Sequence, residues 1–125
     1  MVAPSKNTLH INDDGILEIH VIGDQTYQSV MDMGAETDRL LKVLAEQHKP
    51  GLILDDLTQM GLTDTAARQA VSKLARTLPF RKVAMLSKGG PLMRYGTKLL
   101  LQAIGMGAKI KYFEDHDAAL RWLNE

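Results

Sequence analysis

The stretch GLILDDLTQMGLTDTAAR, residues 51–68, decides how the rest of the chain is read. It opens with Leu52-Ile53-Leu54, an apolar run too short to be a helix. Asp55 and Asp56 follow, then a polar segment containing Gly61, then Thr63-Asp64 ahead of an Ala-rich run with helical spacing. Apolar run, polar segment and capped helix together predict a buried strand that delivers a β–α loop and a helix. In open α/β sheets, ligands gather at the carboxyl ends of the strands. The first place to look for a site is therefore around Asp55, Asp56 and Asp64.

Outward from this stretch, further strands and helices can be read, with no internal repeat. On the N-terminal side, Leu9 and Ile11 alternate with polar residues, and Leu17, Ile19 and Val21 do the same after Asp13-Asp14-Gly15. This predicts a β-hairpin with a three-residue loop and Gly15 in the left-handed position. The register then pairs Ile11 with Leu17 and Leu9 with Ile19 on the core face, and His10 with Glu18 on the other. Gly23-Asp24 is expected to end the second strand, with Asp24 or Thr26 capping a helix that carries Val30, Met33, Thr37, Leu40, Leu41 and Leu44. Gly34 inside that run is a candidate kink, and Lys49-Pro50-Gly51 stops it.

On the C-terminal side, Thr63 or Asp64 caps a helix with Ala67, Ala70, Val71, Leu74 and Leu78 inward, ended by Pro79. Val83-Ala84-Met85-Leu86 is a further short strand. Ser87-Lys88-Gly89-Gly90 is a loop, and Pro91 opens a helix over residues 91–104. Ala108-Lys109-Ile110-Lys111-Tyr112-Phe113 is a last strand whose alternating lysines suit a sheet edge. Asp115 or Asp117 caps a closing helix anchored by Ala119, Trp122 and Leu123. The order β-β-α-β-α-β-α-β-α predicts one α/β domain over residues 1–125, with residues 1–7 a frayed lead. Right-handed crossovers make its five-stranded sheet mixed but mostly parallel.

Composition excludes several functions. The chain has 125 residues, no cysteine and a formal net charge of zero. There is no disulfide, thiolate nucleophile or cysteine metal site. Nucleic-acid binders are usually strongly basic, so none is expected as a partner. The N-terminus lacks a signal peptide's apolar core, and no apolar run approaches the roughly 20 residues that cross a bilayer. A cytoplasmic protein is expected. The four histidines, His10, His20, His48 and His116, show no ligand spacing, and no nucleophile elbow or phosphate loop is present. Neither a catalytic residue, a metal nor a cofactor is expected. Asp55, Asp56 and Asp64 could be read as a Mg²⁺ site, but a strand-end pair plus a helix cap is the simpler chemistry.

Two features ask for an occupant. Gly89-Gly90-Pro91 places free N–H groups at a helix start, with Arg94 and Lys98 one turn apart beside it. The leucines at 99–101 cannot all point inward, so a subunit, a lipid surface or a ligand should cover the remainder. Seven methionines outnumber the aromatic residues, a tilt toward adaptable packing. The expected ligand is apolar or amphipathic. Met85, Met93, Tyr95 and Leu100 would line its cavity, while Lys88, Gly89, Gly90, Arg94 and Lys98 meet an acidic head or a membrane surface.

The segments LDDLTQMGLTDTAA, FRKVAMLSKGG and KYFEDHDAALRWLNE resemble the SpoIIAA-like branch of the STAS family over nearly the whole chain. The last, with its Ala-x-x-Trp-Leu helix, is the most specific. The resemblance implies a small mixed sheet with helices wound along it, and a non-enzymatic domain. This branch is also similar to apolar-ligand carriers, which implies a lipid-like ligand and peripheral membrane association. STAS domains of the anti-anti-sigma type are instead switched by phosphorylation of a serine after an aspartate. Here the matching pair is Asp64-Thr65, so Thr65 would be the acceptor, followed by Ala66-Ala67 where the family has Ser-Gly. That reading implies a protein partner. A homodimer is a further expectation.

Overall fold

The computed structural model describes residues 6–88 and 108–125. Its sheet is built on β3, Leu52–Thr63. The strand begins where the apolar run predicts it, but does not end at Asp56. The segment expected as a polar loop stays in the sheet, because β2, Leu17–Gln25, also runs past its expected end at Gly23 and supplies partners. Ile22 pairs with Gln59, Gly23 with Met60 and Gln25 with Thr63, across two register irregularities. Ladder hydrogen bonds outweigh the weak strand preference of Gln59 and Gly61. Gly23 has φ 76°, the left-handed conformation that suits glycine at such an irregularity.

The hairpin follows the sequence reading. β1, Thr8–Ile11, is antiparallel to β2 with Leu9 opposite Ile19, His10 opposite Glu18 and Ile11 opposite Leu17. Gly15 has φ 78°. Asn12 closes the turn, its side-chain oxygen accepting from the N–H groups of Asp14 at 2.9 Å and Ile16 at 3.0 Å. β4, Lys82–Leu86, and β5, Ile110–Phe113, complete a sheet of order β1-β2-β3-β4-β5, parallel from β2 onward, with β5 on the edge its lysines suggested.

Thr26, not Asp24, caps α1, Tyr27–Glu46, in a reciprocal box with Ser29. α1 runs through Gly34 without a break. A side chain at Gly34 would meet Leu74 of α2, Thr65–Thr77, so this glycine permits close helix packing rather than a kink. Val30, Ala67 and Ala70 fill that contact. Val71, expected inward, is 43% exposed. Asp115 caps α3, His116–Leu123.

Strand alternation makes two cores. Leu17, Ile19, Val21, Ile53 and Val83 face α1 through Leu40, Leu41 and Leu44. Ile16, Leu52, Leu54, Ala84 and Leu86 face α3 through Ala119, Trp122 and Leu123. The helix expected over residues 91–104 lies outside the described residues.

Candidate functional site

The carboxyl end of β3 runs straight into α2, with Asp64 as the only residue between them. Asp64 accepts the Ala67 N–H at 2.7 Å, so this carboxylate serves the helix start. Thr65 is the first helical residue and is exposed. Its hydroxyl accepts from the Arg68 guanidinium at 3.2 Å, and Arg68 also donates to the Thr63 carbonyl at 2.7 Å. An exposed hydroxyl thus sits at the positive end of a helix with a cation in reach. Leu62, 80% exposed, lies three residues before it, and Tyr27, 52% exposed, opens the neighbouring helix.

Asp55 and Asp56 lie within β3, not at its end, and as successive strand residues they point to opposite faces. They cannot converge with Asp64 on one cation. Among the described residues, no group of three or more His, Asp and Glu is arranged to hold a metal ion.

Asp56 belongs to a row on the α3 face. His10 lies 3.3 Å from Glu18, whose other carboxylate oxygen is 3.7 Å from His20, and His20 Nδ1 is 3.3 Å from Asp56. The rings of His10 and His20 are parallel with centroids 6.2 Å apart. Burial pushes the Asp56 carboxyl up, but the Thr58 hydroxyl at 2.6 Å, the Thr58 N–H at 2.9 Å and nearby His20 and His116 together hold it below the ordinary range. Two of the four histidines therefore meet, although their sequence spacing suggested nothing. The hairpin register was the available signal, since pairing His10 with Glu18 puts His20 on the same face two residues on.

Asp55 is the opposite case. It lies between Ile19 of β2 and Met85 of β4, on the α1 face. Its Oδ1 is sealed from solvent and has no hydrogen-bond partner. Burial, with a smaller contribution from the Asp56 charge, raises its carboxyl from 3.8 to about 7. Sequence reasoning placed Asp55 near a site but had no means of seeing that it is orphaned.

Of the residues expected to bind a ligand, Met85 is partly buried against the α1-face core and Lys88 is exposed just past β4. Gly89, Gly90, Met93, Arg94, Tyr95, Lys98 and Leu100 lie outside the described residues. No helix among the described residues is long and apolar enough to cross a membrane.

The sequence pattern of the SpoIIAA-like family matches residues 16–124. No curated protein matches the chain. Among solved structures, an uncharacterized protein with a SpoIIAA-like fold from Shewanella loihica is 25% identical, with a TM-score of 0.71 and 98% of each chain covered. The phosphorylated form of the Bacillus cell-fate determinant SpoIIAA is 17% identical, with a TM-score of 0.58, covering 93% of this chain and 98% of that one. An anti-sigma factor antagonist from Mycobacterium paratuberculosis is 15% identical, with a TM-score of 0.57 and 100% of each chain covered.

Proposed function

The chain belongs to the SpoIIAA-like family, and on that premise we propose that it is a non-enzymatic regulatory module that binds a protein partner, with Thr65 as its switch. The observation that carries this reading is the placement of Thr65, exposed at the first position of α2 beside Arg68. A phosphate there gains from the helix N-terminus and from a guanidinium that can reach it, against the charge of the Asp64 cap. The fold would tolerate the added charge, so the modification would act on the partner. Leu62 and Tyr27 supply exposed apolar surface at the same end of the sheet. Support also comes from two proteins that share the fold, an anti-sigma factor antagonist and a cell-fate determinant solved in a phosphorylated form.

The test is phosphopeptide mapping of the protein isolated from its own cells, followed by binding measurements on Thr65→Glu and Thr65→Ala. We expect phosphate on Thr65, and the partner's affinity to differ at least tenfold between the two variants. An unmodified Thr65, with both variants binding the partner equally, would sink the proposal.

A second reading, uptake of an apolar or amphipathic ligand, is favoured by one observation: the orphaned carboxyl oxygen of Asp55 beside half-buried Met85. Residues 99–101, expected to meet a membrane, lie outside the described residues.

A further inference from the structure

We infer that Asp55 is the polar end of a small-molecule site on the α1 face of the sheet, and that it takes a hydrogen-bond donor, an alcohol or an amine, carried by an apolar molecule. This rests on the ligand-uptake reading and assigns the chemistry of the head group.

The starting point is the sealed, unpartnered Oδ1. Buried acceptors in folded proteins nearly always have a donor, and an exception calls for a reason. The sheet provides none. On either side Asp55 is flanked by Ile19 and Met85, which have no N–H or O–H to offer in their side chains. Asp56 points to the other face, where Thr58 and His20 occupy it. Leu57, Met60 and Met85 pack half-buried against the core cluster that holds Ile53, on the same face as Asp55. One acceptor set in an adaptable apolar wall is the composition of a ligand site, in which few polar groups orient a mostly apolar molecule. The carboxyl makes sense where a donor arrives from outside the fold.

The same geometry selects the head group. An alcohol O–H or an amine N–H satisfies Oδ1. A carboxylate or phosphate would bring a second acceptor and a like charge against it, with Asp56 one residue away.

Three probes with one tail separate these cases: 1-dodecanol, dodecylamine and dodecanoate, each below its micelle concentration at pH 8. The reporter is the Met85 methyl signal in protein labelled at its methionine methyls, assigned with Met85→Leu. We expect dodecanol and dodecylamine to move this signal saturably, dodecanoate to bind at least tenfold more weakly, and Asp55→Leu to erase the difference. If Asp55→Leu does not fold, Asp55→Asn replaces it. That variant keeps an acceptor without the charge, so the alcohol should keep its affinity and the amine should lose about tenfold. Equal loss of both overturns the inference. If none of the probes moves Met85, the ligand-uptake reading falls and takes the inference with it. If dodecanoate binds as tightly as dodecanol, ligand uptake stands and the assignment of a donor head group is wrong.

Discussion

Gly61 of β3 lies so close to Asp24 of β2 that no methyl group fits between them. A Cβ on Gly61 would collide with the Asp24 carboxylate and come within 3.1 Å of the Asp24 nitrogen and the Gly23 carbonyl carbon. That carboxylate also accepts the Leu62 N–H at 2.8 Å, which ties together the extended ends of the two strands. The residue that sequence patterning assigned to a loop thus sits where β2 and β3 leave no room for a side chain.

Gly61→Ala should therefore cost about 2 kcal/mol, because the Asp24 carboxylate must move away and give up the Leu62 N–H while two backbone atoms of β2 stay in tight contact. The measurement is the urea midpoint at fixed slope. A variant within about 0.5 kcal/mol of wild type would show that the strands separate here without penalty.

Stability should fall as pH rises through the range governed by Asp55. In the unfolded chain this carboxyl ionises near 3.8; in the fold it holds its proton to about 7. Below the lower value both states are protonated, and the contribution of Asp55 to stability is complete. Between the two, the unfolded chain releases the proton first and is favoured by ~1.4 kcal/mol per pH unit, about 4 kcal/mol in all, with no further loss above. Asp56 works in the other direction. Its depressed pKa stabilises the fold above the ordinary carboxylate range, and that stability is lost on acidification. The difference between wild type and Asp55→Asn from pH 4 to pH 8 isolates the first effect. The Asp55→Asn variant should show a flatter decline; parallel curves would mean that Asp55 is not held protonated.

Trp122 should be among the costliest positions to truncate. It is 8% exposed, its ring lies 5.7 Å from Phe113, and the Lys82 ammonium stands 4.9 Å from the ring while donating to the Trp122 carbonyl at 2.8 Å. Trp122→Ala should cost roughly 3–5 kcal/mol by cavity formation. Intrinsic fluorescence is lost with the only tryptophan, so unfolding is followed by far-ultraviolet circular dichroism. A loss under about 1 kcal/mol would show that α3 is dispensable for the α3-face core.

The candidate site was legible in parts. Capping chemistry narrowed the start of α2 to Thr63 or Asp64, and the structure places the cap at Asp64; Thr65 was singled out only through the family resemblance. The Asp55-Asp56 pair was located but misread as a strand end. Its two carboxylates part company across the sheet, and their environments are set by Met85, Ile19, His20 and Thr58, none of which a local window weighs. The His10–Glu18–His20 row was half visible through the hairpin register.

The sequence by itself determined where elements begin and which way their faces turn. Gly15 in its turn and the alternation of Leu17, Ile19 and Val21 act within a few residues of each other, so local chemistry settles them, while at two helix starts it narrowed the cap to Asp24 or Thr26 and to Thr63 or Asp64. Only the tertiary structure decided that β3 runs on to Thr63, that Gly34 admits Leu74 instead of bending α1, and that Asp55 is left without a donor. Each of these depends on a strand or helix remote in sequence. Ladder hydrogen bonds, close packing and the loss of water around a carboxyl exist only once those partners have come together.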